Sequence, residues 1–312
     1  MPSIFKISAL SLLVAALAYG GQATALAQTD GLSIVTSDTG VVDGVGGGLL
    51  TLNRRIDGTL TPVEGPMVAV LSGSKGGYIQ SDHPMVRDLL FAGFRVASMA
   101  YHGATGTPDH LREISIDAVA NRIAELGRAA GVGEGCVGVL GVSKGAELTL
   151  LLASLSGVGD VHVAATPSDV VWQSSQTTFR RRSSWTRNGE PLPFVPYLRF
   201  SRATLTALRD VKRAGALHEA SLRKADNLEA ARIPIERATT PVLALAGSED
   251  ALWPTQAMME RMIARLDTDK PGHRVTLKSY PTGHYILRDA KARQDAIAFL
   301  EDSFAVTCTP KP

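Results

Sequence analysis

The segment Gly141-Val142-Ser143-Lys144-Gly145 constrains this chain more than any other. It joins the apolar run Cys136-Val137-Gly138-Val139-Leu140 to a helix-like stretch over residues 146–153. Strand, sharp turn and helix is the order that a nucleophile elbow requires. Glycines on both sides let strand and helix approach closely around a strained backbone. The serine hydroxyl is left exposed at the C-terminal edge of a sheet, and the following helix aims its positive N-terminal end toward it. With 30 glycines in the chain, such a pattern also arises by chance, so the reading rests on its surroundings. The bland alternative is a glycine-rich turn holding an inert serine.

Those surroundings are of α/β class. Stretches rich in β-branched residues alternate with helical patterns, the signature of a parallel sheet with crossover helices. The spacing predicts strands over residues 32–36, 48–52, 67–71, 94–99, 137–140, 161–165, 242–246 and 275–279. The result is a mostly parallel, eight-stranded sheet flanked by helices. The first two strands, joined by a glycine-rich turn, read as an antiparallel edge. Helical spacing of apolar residues predicts helices over 83–92, 109–130, 254–266 and 289–304. Residues 174–239 break the alternation with Arg180-Arg181-Arg182, a proline-rich stretch and two helical pieces around 203–214 and 217–231. A connection this long inside one sheet reads as a helical lid insertion.

The start of the chain reads as a signal peptide over residues 1–27. Lys6 gives a positive beginning, Ile7 to Ala18 is apolar, and Ala25-Leu26-Ala27 offers a small-residue cleavage site. The expectation is an exported, periplasmic or secreted protein cut after Ala27, with no stable membrane anchor, its residues 28–312 forming a single domain. Net charge is +2 for the whole chain and +1 without that segment, which carries Lys6 and no acid. So even a balance argues against nucleic acid as a partner, and against a membrane surface as the main one. Only Cys136 and Cys308 are present, and the seven histidines show no ligand spacing, so no metal and no cofactor is expected. Cys136 enters its strand at the sheet edge away from the elbow. The last helix returns Cys308 to that edge, which predicts a disulfide in an exported protein.

A serine hydroxyl needs an imidazole base, and the imidazole needs an orienting carboxylate. The strand at 242–246 ends in Gly247-Ser248-Glu249-Asp250, and the strand at 275–279 ends in Tyr280-Pro281-Thr282-Gly283-His284. The order Ser143, Asp250, His284 matches a nucleophile, acid and base that each follow a strand. Glu249 is the rival acid. The oxyanion hole is expected from the backbone N–H of Lys144 and one N–H of the loop Ser72-Gly73-Ser74-Lys75-Gly76-Gly77-Tyr78, with Ser74 favoured by position. His102, after the strand at 94–99, is expected as a pocket wall.

Leu71-Ser72-Gly73-Ser74-Lys75-Gly76-Gly77, Phe91-Ala92-Gly93-Phe94-Arg95-Val96 and the elbow through Glu147 together resemble the catalytic domain of acyl-CoA thioesterases and bile acid-CoA:amino acid N-acyltransferases. Ile233-Pro234-Ile235-Glu236, Gly247-Ser248-Glu249-Asp250 with Leu252-Trp253-Pro254, and Gly283-His284-Tyr285-Ile286 continue the resemblance in the same order. It spans roughly residues 45–300. It implies an α/β-hydrolase fold acting on acyl thioesters, and it matches Ser143, Asp250 and His284 position by position. The expected substrate is a small acyl thioester or ester. Arg180-Arg181-Arg182 is either a CoA-phosphate contact or a solvated basic loop. Two other functions stay open: a carboxylesterase or lipase-like hydrolase that does not use CoA, and a non-catalytic binding protein on a hydrolase scaffold.

Overall fold

The computed structural model describes residues 23–29, 32–56, 59–174 and 181–309. The first strands are β1 (Ala23–Thr29), β2 (Leu32–Val42), β3 (Val45–Ile56), β4 (Thr59–Pro62), β5 (Met67–Leu71) and β6 (Arg95–Ala100). They are followed by β7 (Ile114–Ser115), β8 (Val137–Val142), β9 (Val161–Ala165), β10 (Trp185–Arg187), β11 (Glu190–Pro191), β12 (Val242–Gly247) and β13 (Val275–Tyr280). The helices are α1 (Pro84–Phe91), α2 (Ile116–Ala130), α3 (Lys144–Leu155), α4 (Arg202–Arg209), α5 (Gly215–Lys224), α6 (Leu228–Ala231), α7 (Thr255–Asp269) and α8 (Ala290–Thr307).

One sheet runs β1-β2-β3-β6-β5-β8-β9-β12-β13, with β4 paired to β3. The pairs from β1 to β6 are antiparallel, and from β6 through β13 every pair is parallel. All eight expected strands form, and β1 and β4 join them on the antiparallel side. Strands β5 and β9 are buried along their whole length, as continuous apolar runs covered on both faces must be. Alternation sorts β5: Ala69 and Leu71 face the core that Val119, Ile123 and Met262 fill, while Val68 and Val70 face Leu89, Leu300 and Phe304. Helices α2, α3 and α7 thus cover one face, and α1 and α8 the other.

The charged start and the apolar run at residues 7–18 lie outside the described residues, whereas Ala25, Leu26 and Ala27 fall within β1, paired antiparallel to β2. The helix expected over 109–130 begins only at Ile116. Ser115 caps it, accepting the Ala118 N–H at 3.1 Å. Ile114 and Ser115 instead pair in parallel with Trp185 and Thr186 of the long insertion. Strands β7, β10 and β11 form a small separate sheet, and α4, α5 and α6 make up the helical part of the insertion. At the far edge Cys136 is disulfide-bonded to Cys308 with 4.4 Å between their Cα atoms.

Candidate active site

Strand β8 delivers Ser143 with φ 56° and ψ −117°, a conformation that L residues rarely hold and that surrounding structure must impose. The flanking glycines are a steric requirement. A Cβ on Gly141 would lie 2.1 Å from the Gly145 carbonyl oxygen, and one on Gly145 would lie 2.4 Å from the Ser72 oxygen. Ser143 N–H donates to Ala165 O at 2.9 Å, while its own carbonyl accepts from Ala146 N–H at 2.9 Å and opens α3. Lys144 is the first residue of α3, so its N–H is among those a helix leaves without an internal acceptor.

Asp250 and His284 reach the same place from the ends of β12 and β13. His284 Nε2 stands 2.9 Å from Ser143 Oγ, and His284 Nδ1 stands 2.7 Å from Asp250 Oδ2. The carboxylate is otherwise saturated: Oδ1 accepts from the N–H groups of Leu252 at 3.0 Å and Trp253 at 2.9 Å, and Oδ2 accepts from Thr255 Oγ1 at 2.8 Å. A carboxylate held as an acceptor puts the imidazole proton on Nδ1 and turns the Nε2 lone pair toward the serine. Glu249 is exposed, and the partner of His284 Nδ1 is the Asp250 carboxylate.

The loop after β5 passes directly over Ser143; a Cβ on Gly73 would be 3.3 Å from Ser143 Cβ. Ser74 and Lys144 border the same cavity as Ser143 and His284. Tyr101 supports this loop from beneath, donating to Ser72 O at 2.5 Å. His102 is fully buried under the loop and does not line the cavity. Gly76 explains why: at φ +70° its Cβ position is 2.5 Å from His102 Nδ1, so the loop lies on the ring and shuts it away. The expected pocket wall is therefore a loop support. The cavity has a volume of about 480 Å³, and Ile79, Tyr197, Leu208, Val211, Leu217 and Leu252 make most of its wall apolar. Of the three arginines at 180–182, Arg182 meets Glu113 at 3.3 Å, and Arg180 lies outside the described residues.

Two features escaped the sequence reading. The Trp253 indole lies parallel to His284, with 6.1 Å between ring centroids, and also parallel to His218 at 5.5 Å. Burial pushes the His218 imidazole down to about 4, and its Nδ1 is bonded to Ala214 O at 2.9 Å. The second feature is the side chain of Lys144, which turns inward from the elbow to a buried Glu147. Trp253 was marked by its place three residues after Asp250; nothing local marked His218. Among the described residues, no group of three or more His, Cys, Asp or Glu side chains is disposed to hold a metal ion.

The family model for the BAAT / Acyl-CoA thioester hydrolase C terminal matches residues 120–288, which include Ser143, Asp250 and His284. Peroxisomal succinyl-coenzyme A thioesterase of Mus musculus is 26% identical over 230 residues, covering 73% of this chain and 51% of the mouse protein. Acyl-coenzyme A thioesterase 1 of Mus musculus is 28% identical over 235 residues, covering 73% of this chain and 50% of its own. The chain thus spans about half the length of the curated relatives it matches. Among solved structures, an esterase of Pyrococcus furiosus superposes with a TM-score of 0.54 at 12% identity, covering 93% of this chain and 92% of that one. Acetyl xylan esterase 1 of Thermoanaerobacterium superposes with a TM-score of 0.50 at 16% identity, covering 91% and 88%. These likenesses establish an α/β-hydrolase fold.

Proposed function

The chain belongs to the BAAT / acyl-CoA thioester hydrolase C-terminal family, and on that premise we propose that it is an exported serine acyl hydrolase cleaving acyl thioesters or esters through Ser143, His284 and Asp250. The observation that carries this reading is the unbroken hydrogen-bond chain from Ser143 Oγ through His284 to Asp250, at 2.9 and 2.7 Å.

In this reading His284 Nε2 takes the Ser143 proton as Oγ attacks the acyl carbonyl carbon, and Asp250 stabilises the imidazolium without itself being protonated. The carbonyl oxygen becomes an oxyanion. The backbone N–H groups of Lys144 and Ser74 receive it, aided by the positive end of α3. Collapse expels the thiolate or alkoxide, which leaves with the proton from His284. Water, deprotonated by the same nitrogen, then attacks the acyl-enzyme; the bond to Ser143 Oγ breaks, Oγ takes the proton back from His284, and a free acid leaves. The apolar cavity wall suits a hydrocarbon acyl chain. The insertion at 174–239 serves as the lid, since Thr204, Leu208 and Val211 border the cavity that contains Ser143.

Labelling of the purified protein by a fluorophosphonate tests the activated serine; an unlabelled, folded protein would leave only the binding-protein reading. Parallel turnover of acyl-CoA and p-nitrophenyl esters of several chain lengths separates the thioesterase from the carboxylesterase that does not use CoA. The signal-like residues 1–27 support export, which sequencing of the N-terminus of the mature protein tests.

A further inference from the structure

Helix α4 and its flanks face two ways. Thr204 is buried, and Thr204 and Ala207 border the cavity. On the outer side Phe200 is 92% exposed and Leu205 55%, and at the cavity rim Leu208 is 70% and Val211 65% exposed. This is the densest run of exposed large apolar side chains among the described residues. Tyr285, next to His284, adds another at the cavity wall, 52% exposed. Apolar surface gathered in one place is costly in water and marks a contact surface.

The charges on the same segment say what it contacts. Arg199, Arg202, Arg209, Lys212 and Arg213 are all exposed, against a single acid, Asp210. Asp210 is engaged locally, accepting the Lys212 N–H at 3.0 Å. Arg223, farther along, meets Glu219 at 3.8 Å, whereas Arg202, Arg209, Lys212 and Arg213 meet no acidic side chain among the described residues. Apolar side chains interleaved with basic ones suit a headgroup layer carrying phosphates over hydrocarbon. A second copy of the chain fits poorly. A two-fold contact would set the two basic clusters against each other. The near-neutral charge of the whole chain does not oppose this, because the positive charge is local.

We propose that residues 199–213 dock on an anionic lipid surface. Docking seats the cavity mouth at the headgroups, so that acyl substrates enter from the lipid layer; this last clause rests on the hydrolase reading above. The docking itself does not, and vesicle binding by Ser143→Ala reads it without any turnover.

The test is co-sedimentation of the full chain with phosphatidylcholine vesicles, with and without phosphatidylglycerol. Phosphatidylglycerol is expected to raise binding about tenfold or more, and about 0.5 M NaCl to reverse most of the gain. Phe200→Ser with Leu205→Ser, neither bordering the cavity, is expected to weaken binding about tenfold, as is the triple variant Arg202→Gln, Arg209→Gln, Arg213→Gln. Unaltered circular dichroism and melting temperature certify each fold. Equal binding to both vesicle types, no binding, or binding untouched by either variant overturns the proposal. So does a concentration-dependent dimer that Phe200→Ser with Leu205→Ser dissolves, which assigns the patch to a second copy.

Discussion

The ammonium of Lys144 and the carboxylate of Glu147 meet in two hydrogen bonds of 2.8 and 2.9 Å, one helical turn behind Ser143 and shut away from water. Glu147 is held further by Trp185 Nε1 at 2.7 Å and by the Trp172 N–H at 3.2 Å. Burial pushes the lysine down and the glutamate up, and each opposes the shift in the other. The ammonium also stands 5.9 Å from the centre of the Trp253 ring, which packs in turn against His284, His218 and Trp172. In the proposed reaction Lys144 would offer the oxyanion its backbone N–H, while its side chain anchors α3 to the aromatic layer beneath.

Breaking that pair from one side should be severe. Lys144→Met leaves a buried carboxylate unpaired and is expected to cost about 3–5 kcal/mol. Lys144→Met with Glu147→Gln removes both charges and keeps an acceptor for Trp185, so at least half of that loss should return. Urea denaturation of the two variants and the wild type decides it; a double variant no more stable than the single one would refute the account.

Ser143→Ala removes one oxygen from a turn whose strain is set by its neighbours. The fold should persist and kcat should fall by on the order of 10⁴–10⁶. Steady-state turnover of the best ester or thioester is the measurement, and more than a tenth of wild-type activity would remove Ser143 from its role.

With serine at the elbow the proposed acyl-enzyme would be an oxyester, for which water activated by His284 would be a competent second nucleophile. Free acid is expected as the product even with glycine or taurine present. Chromatography of the products checks this, and a predominant amide would mean acyl transfer.

Acid should destabilise the protein over a defined window. His162 and His218 are buried and held down to about 4, from 6.5 in the unfolded chain, in both cases chiefly by burial. Between those values the unfolded chain binds protons that the folded one refuses, so stability rises with pH there. Stability is complete above 6.5 and is lost as pH falls toward 4, by on the order of 3 kcal/mol per histidine. Denaturation midpoints at several pH values, for wild type, His162→Gln and His218→Gln, measure it. Variants whose acid slope equals that of the wild type would show that other groups are responsible.

The disulfide closes a loop of 172 residues, worth about 3–5 kcal/mol by loop-closure entropy. Cys136→Ser with Cys308→Ser should unfold earlier in urea by that amount, with the wild type showing no thiol until reduced.

What could be read from the chain was what is local. The β-branched runs of β5, β8, β9 and β12 became strands because both faces of the parallel part of the sheet are buried and demand it. Ser143, Asp250 and His284 stood out because each follows such a run, and the fold brings them within hydrogen-bond reach. What was missed depends on partners distant in the chain. Helical spacing continues back to Leu111, but Ser115 caps the helix and Ile114 pairs with Trp185, 71 residues later. His102 follows a strand as a pocket residue would, yet a glycine loop 26 residues earlier lies over its ring. His218 meets Trp253 only when the insertion folds back, and no spacing rule reports that contact.

Cys136 and Cys308 lie on either side of Ser143, Asp250 and His284 in the chain, so one covalent ring encloses all three. The insertion, with its exposed helix α4, lies inside the same ring. A protease that cuts there severs the backbone between serine and histidine but releases no fragment. The two pieces stay tethered, the sheet they share still aligns them, and the nicked molecule separates on a gel only after reduction. Cleavage at the face most open to attack therefore leaves serine and histidine in one molecule.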